Sequence, residues 1–578
     1  MTKKLLTGNE AVARGFWQAG GRVVSAYPGT PSTEITVNAA NYAELYAEWA
    51  PNEKVALEAA LGAAVGGARA MAAMKHVGLN VAADPLFTAA YTGVNAGLVV
   101  INADDPGMHS SQNEQDNRHY ARAAKLPCLE PSDSAEALAF TQLALELSER
   151  FDTPVLLRLT TRVAHGQTLV ELSGRTEVEL KPYQKDIQKY VMTPAWARPR
   201  HVALEQRMRE LAVYAEETEV NRMELRDKAI GVVCSGAAYQ YVREALPQAS
   251  VFKLGLIYPL PQQRLCDFAA AVEALYVVEE LDPFVEQQLK SWGIACQGKE
   301  IFSTLGEIFP SQIRAALGGD TADVPTETAG LPPRPPVLCA GCPHRAAFAA
   351  IKKLKAPVTG DIGCYTLASA PPLSSIDTTL CMGASITMAH GFAKAWVAAG
   401  IKPVAVLGES TFIHSGITGL IHAVYNQANI TVVILDNGTT AMTGHQHNPA
   451  SGVNAKALPA PALDMAALSA ACGVDYVRVA DPFDQQALTA ALAGAQGFVG
   501  PAVVICKYPC ILLPHVKRNL PLAVDEANCV GCKVCLSIGC PALSLRGKKA
   551  AIDSSQCTGC ALCVGLCAKK AISGRERI

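Results

Sequence analysis

The chain has 578 residues, of which 50% are hydrophobic and 18% are charged. At about 150 residues per domain, this length predicts roughly four domains with packed cores. Basic and acidic residues nearly balance, at 50 and 52, so the overall charge gives no reason to expect binding to nucleic acid or to a membrane surface. We find neither a long apolar stretch that would span a membrane nor a secretory leader pattern, and we expect a cytoplasmic protein.

Residues 1–170 contain short apolar runs that alternate with alanine-rich helical stretches. The apolar runs predict strands over 22–26, 97–102 and 153–159. The alanine-rich stretches predict helices over 54–74 and 134–150. Strands that alternate with helices along the chain are typical of a parallel sheet in an α/β domain.

The following segment, residues 171–227, is rich in charge and contains Pro182, Pro194 and Pro199, which indicates a linker. A helical pattern over 204–226 predicts one long solvated helix within it. Residues 228–325 then return to the α/β pattern. Strands are expected there over 229–234 and 274–279.

A proline-rich break at 331–336 precedes a third α/β unit, residues 335–518. Strands are expected in this unit over 403–407, 430–435 and 502–506. A small cysteine-rich domain follows, over 522–578. The chain is therefore expected to contain three α/β units and a short C-terminal domain.

Cysteine is the most informative residue, because eight of the 19 cysteines lie in the last 50 residues. A long chain with cysteines crowded at one end in CxxC steps favours thiolate metal ligands in a reducing compartment over disulfides. The crowded cysteines form two runs: Cys529, Cys532, Cys535 and Cys540, then Cys557, Cys560, Cys563 and Cys567.

Each run offers three thiolates at x2 spacing for one [4Fe-4S] cluster, and the last Cys of a run ligates the other cluster in two-cluster ferredoxins. One cluster is therefore expected on Cys529, Cys532, Cys535 and Cys567, and a second on Cys557, Cys560, Cys563 and Cys540. Zinc is the alternative, although zinc sites use CxxC pairs rather than triplets. From Ala523 onwards, eight basic residues face four acidic ones, an excess that offsets cluster charge or docks an acidic electron carrier.

A second candidate site lies at the ends of two expected strands in residues 335–518. Gly408-Glu409-Ser410 follows one strand, and Asn437-Gly438-Thr439 follows the next, with Asn437 28 residues after Glu409. Oxygen ligands at adjacent strand ends can hold Mg²⁺ against a diphosphate. The pattern resembles the thiamine diphosphate motif, with Glu409 in place of the usual Asp. That resemblance implies that Glu409, the Asn437 side chain and the Thr439 carbonyl bind Mg²⁺.

The whole chain resembles the α subunits of indolepyruvate:ferredoxin oxidoreductases, within the 2-oxoacid:ferredoxin oxidoreductase superfamily. The resemblance rests on several motifs and on the x4 spacing before Cys540; Glu409 and Ala568 depart from the pattern. The motifs are YPGTPSTE at 27–34, KHVGLN at 75–80, DDPGMHSSQNE at 104–114, CAGCPHR at 339–345, GDIGCY at 360–365 and AMTGH at 441–445.

The resemblance implies three doubly wound parallel sheets of the thiamine-enzyme type and a ferredoxin-like domain with two [4Fe-4S] clusters. Residues 1–170 would be the pyrimidine-binding type, 228–325 a transketolase-C-like domain, and 335–518 the diphosphate-binding domain. The implied reaction is oxidative decarboxylation of an aryl 2-oxoacid (indolepyruvate, phenylpyruvate or 4-hydroxyphenylpyruvate) with thiamine diphosphate and Mg²⁺. CoA takes the acyl group and ferredoxin takes the electrons. A smaller γ-like β subunit is implied as the partner, in a heterodimer or heterotetramer.

The same resemblance points to an acid beside the aminopyrimidine of the cofactor. Glu53, nine residues before Gly62, matches the superfamily's catalytic Glu, and Glu58 is the alternative; a solvated helix carboxylate is the plain interpretation of either. Thr30 is a candidate for binding the substrate carboxylate or for stabilising a turn. Histidines that orient the oxoacid or transfer protons, or else have structural roles, are His76, His109 and His445.

Further residues are expected to line the diphosphate and thiazolium, although glycines after strands also serve packing. These are Gly360, Asp361, Gly363, Gly383, Gly408 and Ser410.

Four more cysteines match a cluster that pyruvate-oxidising relatives hold next to the cofactor. They are the CxGC pair Cys339 and Cys342, Cys364 22 residues on, and the late Cys510. We expect a third [4Fe-4S] cluster here; buried free thiols are the alternative, since Cys is often buried. No role is assigned to Cys128, Cys234, Cys266, Cys296, Cys381, Cys472 and Cys506.

Two other functions compete with the oxidoreductase. An electron-transfer or assembly subunit with a degenerate thiamine site would explain Glu409. A non-oxidative 2-oxoacid decarboxylase would use the thiamine site but needs no path for electrons, so the cysteine-rich domain argues against it.

Overall fold

The computed structural model describes residues 2–318, 332, 335–396 and 400–574. The chain divides into two compact units, Met1–Ala329 and Gly330–Ile578. Residues 331, 333 and 334 of the expected proline-rich break at 331–336, and the end of the expected 228–325 domain, lie outside the described residues. None of the described helices combines the length and apolar character that a membrane-spanning helix needs.

A seven-stranded sheet forms the centre of the first unit. All its neighbouring pairs are parallel except the edge pair of Leu256–Tyr258 with Cys128–Leu129. Alternate residues of each strand enter two hydrophobic clusters, so both faces are covered, as in doubly wound folds. The strand order is Leu256–Tyr258, Cys128–Leu129, Val155–Thr160, Leu98–Asp104, Ala70–Lys75, Val23–Ala26, Tyr46–Trp49.

A four-stranded sheet lies in the same unit and shares one hydrophobic cluster with the larger sheet. Its order is Ala274–Val278, Asp227–Ser235, Ala249–Leu254, Arg222–Glu224, with only the last strand antiparallel. Strand Leu256–Tyr258 follows these strands in sequence but pairs with the seven-stranded sheet. A two-stranded sheet joins Thr2–Thr7 to Gln167–Leu172.

The helices of the first unit fall mostly between strands, as the alternating pattern predicted. They are Gly8–Gln18, Thr33–Ala39, Glu53–Val65, His76–Val81, Ala83–Thr92, Arg118–Ala124, Ser134–Phe151, Thr161–His165, Ile187–Tyr190, Pro194–Glu217, Gly236–Ala245, Gln262–Ala271, Phe284–Ser291 and Pro310–Leu317.

Two helix predictions were wrong in extent. The helix expected over 54–74 ends at Val65, because Gly67 takes a φ of +101° and the chain then enters strand Ala70–Lys75. The helix expected over 204–226 is instead Pro194–Glu217, since Pro194 is well suited to the first helical turn. Nor is this helix wholly solvated: Leu204, Arg207, Leu211 and Ala215 are buried on one face.

The second unit is built on a fully parallel five-stranded sheet with a hydrophobic cluster on each face. The strand order is Val358–Thr359, Val404–Gly408, Thr431–Asp436, Ala502–Lys507, Tyr476–Ala480. The three strands predicted here are confirmed to within one or two residues. The helices are Pro343–Ile351, Lys352–Leu354 (3-10), Cys364–Ser369 (3-10), Ala384–Ala395, Glu409–Thr411, Phe412–Gly416 (π), Ile417–Tyr425, Met465–Ala471 and Gln485–Gly497.

The C-terminal segment has little regular structure. Strands Leu522–Val524 and Ile572–Gly574 pair antiparallel, as do Leu543–Arg546 and Lys549–Ile552, and Val534–Ile538 forms a 3-10 turn. The apolar cluster of this segment includes the buried thiols Cys535 and Cys563. The segment thus has a small core in which cysteines take a large share.

Candidate active site and cluster sites

The expected magnesium ligands lie at the carboxyl ends of two neighbouring strands. Because Gly408 pairs with Leu435 in the parallel register, Glu409 and Asn437 leave the sheet side by side. The Asn437 backbone N–H lies 3.4 Å from Glu409 Oε2, and Asn448 Nδ2 donates to Oε1 at 3.1 Å. The structure therefore brings Glu409, Asn437 and Thr439 together, and all three are buried.

Glu409 carries the strongest electrostatic signal of this site. Burial, together with the neighbouring charge of Asp436, raises the pKa of Glu409 to about 8. Among the described residues, no basic side chain forms an ion pair with it. A buried carboxylate is costly to ionise unless a cation accompanies it.

The donor set fits a hard divalent cation. The Glu409 carboxylate, the Asn437 side-chain oxygen and the Thr439 carbonyl are all oxygen donors, the type that Mg²⁺ prefers. Asn437 is oriented by its other side-chain atom, since its Nδ2 donates to His344 Nε2 at 3.1 Å. Burial lowers the pKa of His344 to about 4, so its ring is neutral and can accept this hydrogen bond. The residues present thus fit a magnesium-bound diphosphate.

Asp361, which was expected to line the diphosphate, accepts hydrogen bonds from backbone N–H groups of two segments. Its Oδ1 accepts from the backbone N–H of Ile362 and Gly383, and its Oδ2 accepts from that of Ser385. These bonds join the loop after strand Val358–Thr359 to the beginning of helix Ala384–Ala395. Burial raises the pKa of Asp361 to about 6.

Several predicted glycines pack against protein. A Cβ at Gly363 or Gly408 would come within 2.5 or 2.9 Å of the Tyr365 ring, and one at Gly360 within 2.6 Å of Ile376. The Tyr365 hydroxyl donates to the Ile362 carbonyl at 2.8 Å. Gly363 and Gly408 therefore let their loops approach the aromatic ring closely.

Two further predicted residues shape the same loops. Gly383 adopts a φ of +86°, the left-handed conformation that glycine tolerates best, just before helix Ala384–Ala395. Ser410 Oγ accepts a hydrogen bond from Thr440 Oγ1 at 3.1 Å, which ties the loop after one strand to the loop after the next.

The four cysteines of the expected third cluster occupy the same neighbourhood. Burial raises the pKa of Cys364 to about 11, and the charges of Cys510, Cys339 and Glu409 add to the shift. For Cys342, burial raises the pKa to about 12, with Cys339 again contributing. The Cys510 backbone N–H donates to the Asn437 carbonyl at 2.9 Å. These thiols thus adjoin the Glu409 site.

His445 lies beside this set, with Nε2 3.8 Å from the sulfur of Cys510. Its backbone φ is +66°, an uncommon conformation for a residue other than glycine. The structure therefore places His445 next to a candidate cluster ligand.

The cysteines of the expected second cluster line one cavity. Its walls include all four predicted ligands, Cys540, Cys557, Cys560 and Cys563. Burial raises the pKa of Cys563 to about 12, and the charges of the other three contribute. Cys342, from the CxGC pair, lines the same cavity. The structure therefore brings this set together beside the third one.

The cysteines of the expected first cluster also form one group. The pKa of Cys535 is raised by burial, and by the charges of Cys532, Cys529 and Cys567. The Cys567 sulfur accepts a hydrogen bond from Ala571 N–H at 3.2 Å. Hydrogen bonds to cysteine sulfur are one way in which proteins set cluster potentials.

The three CxGC turns in this unit each have a glycine with positive φ. Gly341, Gly531 and Gly559 have φ values of +74°, +71° and +67°. A Cβ would come within 2.1 Å of Thr558 Oγ1 at Gly341, and within 2.4 Å of a backbone carbonyl oxygen at Gly531 and Gly559. Only glycine satisfies both conditions without strain. The glycine of the CxGC pair at 339–342 therefore meets the same two requirements as the glycines of the two ferredoxin-type turns.

In the first unit, the two candidate acids have opposite environments. Glu53 opens helix Glu53–Val65 and is 4% exposed, and a Cβ on Gly78 would come within 2.7 Å of its side chain. Glu58, on the same helix, pairs with Lys54 and its side chain is 45% exposed. The geometry favours Glu53 as the functional acid and makes Glu58 a solvated surface charge.

Lys75 lies within range of the Glu53 charge, and His76 follows Lys75 in the chain. The buried His76 ring has Nε2 3.0 Å from the Asn113 carbonyl, and burial lowers its pKa to about 4. Lys75 donates to Ser110 O at 3.1 Å and to Ser111 Oγ at 2.7 Å. Burial lowers its pKa to about 8, against the opposing charges of Asp105 and Glu53.

Thr30 contacts the loop that contains His109 and Ser110. The Thr30 carbonyl accepts from Ser110 Oγ at 3.4 Å. His109 Nε2 lies 2.8 Å from Glu307, which also binds Arg162 through both carboxylate oxygens. His109 is thus oriented by an acid, and its side chain remains 49% exposed.

Four residues of these sites received no role from the sequence. Lys75, His344 and Tyr365 lie within motifs that carried the family resemblance, and their positions beside assigned residues were the available signal. Asn448, the donor to Glu409, lies in a loop with no motif, so nothing in the sequence indicated it.

Two family models match this chain. Residues 14–229 match "Pyruvate flavodoxin/ferredoxin oxidoreductase, thiamine diP-bdg", and residues 361–506 match "Thiamine pyrophosphate enzyme, C-terminal TPP binding domain". The second range contains Glu409, Asn437 and Thr439.

Curated relatives match over almost the full length. "Indolepyruvate oxidoreductase subunit IorA" of Archaeoglobus fulgidus is 40% identical, over 99% of this chain and 97% of its own. The proteins of that name from Methanothermobacter thermautotrophicus and Pyrococcus horikoshii are 41% and 38% identical, over 94% of this chain in each case and 93% and 92% of theirs. The chain belongs to the indolepyruvate oxidoreductase subunit IorA family, a branch of the thiamine-diphosphate-dependent 2-oxoacid:ferredoxin oxidoreductases.

Proposed function

We propose that this chain carries out the oxidative decarboxylation of aryl 2-oxoacids such as indolepyruvate, phenylpyruvate and 4-hydroxyphenylpyruvate. The products are CO₂ and the aryl-acetyl-CoA, and two electrons pass to ferredoxin. The observation that carries the proposal is the contact between two kinds of group in the second unit. The buried oxygen ligands around Glu409 and Asn437 adjoin the thiols of Cys364 and Cys510.

Magnesium and the diphosphate are held by the loops after the two central strands. Glu409, the Asn437 side chain and the Thr439 carbonyl ligate Mg²⁺. Asn448 orients the Glu409 carboxylate, and His344 orients the Asn437 side chain. Asp361, Gly363, Gly383, Gly408 and Ser410 act by holding the loops in place. When bound, thiamine diphosphate supplies the electron sink that decarboxylation requires.

Glu53 is the acid that hydrogen-bonds the aminopyrimidine ring. Its burial and the space left by Gly78 favour this role over that of a surface charge. His76, held neutral by burial, is a hydrogen-bond donor or acceptor rather than a cation. Thr30 and His109 orient the oxoacid. The hydrogen bond between His109 and Glu307 orients the His109 ring for this role.

Three [4Fe-4S] clusters, when bound, would supply a one-electron path from the thiamine site to ferredoxin. Cys339, Cys342, Cys364 and Cys510 would hold the cluster nearest Glu409, with His445 beside it. Cys540, Cys557, Cys560 and Cys563, which line a cavity that Cys342 also lines, would hold another. Cys529, Cys532, Cys535 and Cys567 would hold the cluster from which ferredoxin takes electrons.

The chain acts with a smaller γ-like β subunit, in a heterodimer or heterotetramer. The relatives are named as subunits, which supports a partner. In domain terms, residues 1–170 and 335–518 are the pyrimidine- and diphosphate-binding domains, 228–325 is the transketolase-C-like domain, and 522–578 is the two-cluster ferredoxin-like domain.

The test is anaerobic reduction of ferredoxin by a panel of 2-oxoacids, with CoA and the partner subunit present. We expect reduction with aryl 2-oxoacids that depends on CoA and on thiamine diphosphate. Activity with pyruvate or 2-oxoglutarate alone would contradict the aryl assignment. Reduction of none of them, by protein that binds no thiamine diphosphate, would favour an electron-transfer subunit.

A further inference from the structure

Arg345 is a buried cation between two sets of cysteines. It lies in helix Pro343–Ile351, which begins directly after Cys342, and the residue is 3% exposed. The charges that act on its guanidinium are those of Cys540, Cys342, Cys339 and Cys560. Two of these thiols belong to the proposed second cluster and two to the proposed third.

Backbone carbonyls accept all of its hydrogen bonds. Nη1 donates to Ile538 O at 2.5 Å, and Nη2 donates to Leu338 O and, at 3.3 Å, to Cys339 O. Nε is buried and has no partner among the described residues. The side chain thus connects the chain around the CxGC pair to the residues just before Cys540.

No carboxylate balances this charge within the described part of the chain, where Arg345 forms no ion pair. Neutral carbonyls satisfy its hydrogens but leave the charge itself uncompensated. An arginine side chain keeps its proton in proteins, so the positive charge is permanent. A buried charge without a counter-charge is costly, which requires an anionic partner in the working protein.

We propose that Arg345 is a positioning residue for electron transfer, whose fixed charge raises the reduction potentials of the two clusters on either side of it. This inference rests on the proposed function, since it requires those clusters. Each gains negative charge on reduction, and a nearby cation in a low-dielectric site favours the reduced form. The arginine thereby favours the entry of electrons into these two clusters.

The experiment is an EPR-monitored redox titration of the full-length protein with its partner subunit. Arg345→Gln removes the charge but keeps hydrogen-bond donors, and Arg345→Lys keeps the charge but loses the planar fork. Lys352→Met is the matched control, because Lys352 also donates to two carbonyls but is exposed. The cluster on Cys529, Cys532, Cys535 and Cys567 serves as an internal control.

In Arg345→Gln, we expect about a tenfold shift towards the oxidised form at a given potential for both adjacent clusters, or about 59 mV for a one-electron couple. The internal-control cluster of Arg345→Gln is expected to keep its wild-type potential. In Arg345→Lys and Lys352→Met, all the clusters are expected to keep theirs. Unchanged potentials in an iron-loaded Arg345→Gln protein would overturn the proposal and leave a purely structural link.

Iron loading decides the remaining cases. If Arg345→Gln loses iron but Arg345→Lys retains it with wild-type potentials, the charge is what the site requires, and the proposal is supported. If both lose iron, the hydrogen-bond fork is the essential feature and the proposal is wrong. Absence of these clusters from the wild-type protein would contradict the proposed function. The clusters of the wild-type protein are therefore measured before any variant is compared with it.

Discussion

The second unit contains two regions that hold their functional groups in different ways. The five-stranded sheet has a hydrophobic cluster on each face, and its oxygen ligands stand at the ends of fully buried strands. The cysteine segment, residues 522–574, has two small two-stranded sheets and a core in which thiols are prominent. The first region buries its strands between apolar side chains, whereas thiols make up much of the core of the second.

The difference follows from the number of apolar side chains that each region can bury. A short segment cannot cover a sufficient core and needs metal or cross-links, while a doubly wound sheet does not. We therefore expect metal to contribute folding energy in the cysteine segment and only binding energy at Glu409.

Removal of iron should unfold one region and spare the other. After oxidative cluster loss and chelation, we expect backbone amides in 522–574 to lose nearly all hydrogen-exchange protection, because ligation supplies their folding energy. Strands Val404–Gly408, Thr431–Asp436 and Ala502–Lys507 should remain protected. Hydrogen-exchange mass spectrometry of both states measures this. Equal protection of the cysteine segment before and after iron removal would contradict the claim that metal supplies its folding energy.

In the first unit, the proposed catalytic acid Glu53 is a functional group whose role requires no metal. Glu53→Gln removes the carboxylic acid from a packed α/β core, and we expect turnover to fall about 10²- to 10⁴-fold, the usual contribution of general acid–base catalysis. The matched control is Glu58→Gln on the same helix, whose side chain is exposed and should leave turnover unchanged. Ferredoxin reduction rates measure both, with iron content expected to stay constant. Equal losses in the two variants would refute the assignment of Glu53.

The pH dependence of magnesium binding sharpens the role of Glu409. Its pKa is raised to about 8, so without metal the carboxyl is mainly protonated at pH 7. Mg²⁺ needs the carboxylate, so binding releases a proton, and the affinity for Mg²⁺ with thiamine diphosphate should rise about tenfold per pH unit up to about pH 8, then level off. Calorimetry in buffers of different ionisation enthalpy measures the released proton.

Glu409→Gln is the control for this titration. It keeps a similar shape but has no proton to release, so binding should be weaker and nearly independent of pH over the same range. If the wild-type affinity for Mg²⁺ with thiamine diphosphate does not change between pH 6 and about pH 8, the Glu409 carboxylate is not a ligand of Mg²⁺.

The smallest expected effect tests the packing of the sheet itself. Ile434 is fully buried in the strand that leads to Asn437. Ile434→Val removes one methylene, which should lower the free energy of unfolding of the sheet region by about 0.5–1.5 kcal/mol. Iron content should not change, because the loss of one methylene leaves all the cysteine sets in place. Chemical unfolding with a parallel iron assay measures both, and loss of iron would contradict the independence of the two regions.

The sequence predicted several strands of each sheet, mostly those that are buried and form apolar runs, but it missed others such as the partly exposed Tyr476–Ala480. It also predicted the Glu409 pair, since parallel neighbours end at the same edge of a sheet. The two C-terminal cysteine sets followed from their spacing and the ligation pattern of two-cluster ferredoxins, and the residues that surround Cys540 and Cys535 agree with that pairing. The third set followed from the resemblance to pyruvate-oxidising relatives.

Other features could not be read from local patterns. The helix over 54–74 was overextended because alanine serves equally in helix Glu53–Val65 and in the buried strand Ala70–Lys75. Asn448 reaches Glu409 from 39 residues away through a loop without regular structure. The role of Asp361 depends on backbone N–H groups of a helix 22 residues further on, contacts that the tertiary fold creates.

The central claim is that a third cluster connects the thiamine site to the cysteine segment. Iron and acid-labile sulfide in anaerobically purified protein test it most directly, with Cys364→Ser measured alongside. Three [4Fe-4S] clusters require about 12 iron atoms per chain, and the variant should fall to about 8. About 8 iron atoms in both proteins would contradict the claim, and would leave Cys339, Cys342, Cys364 and Cys510 as buried free thiols.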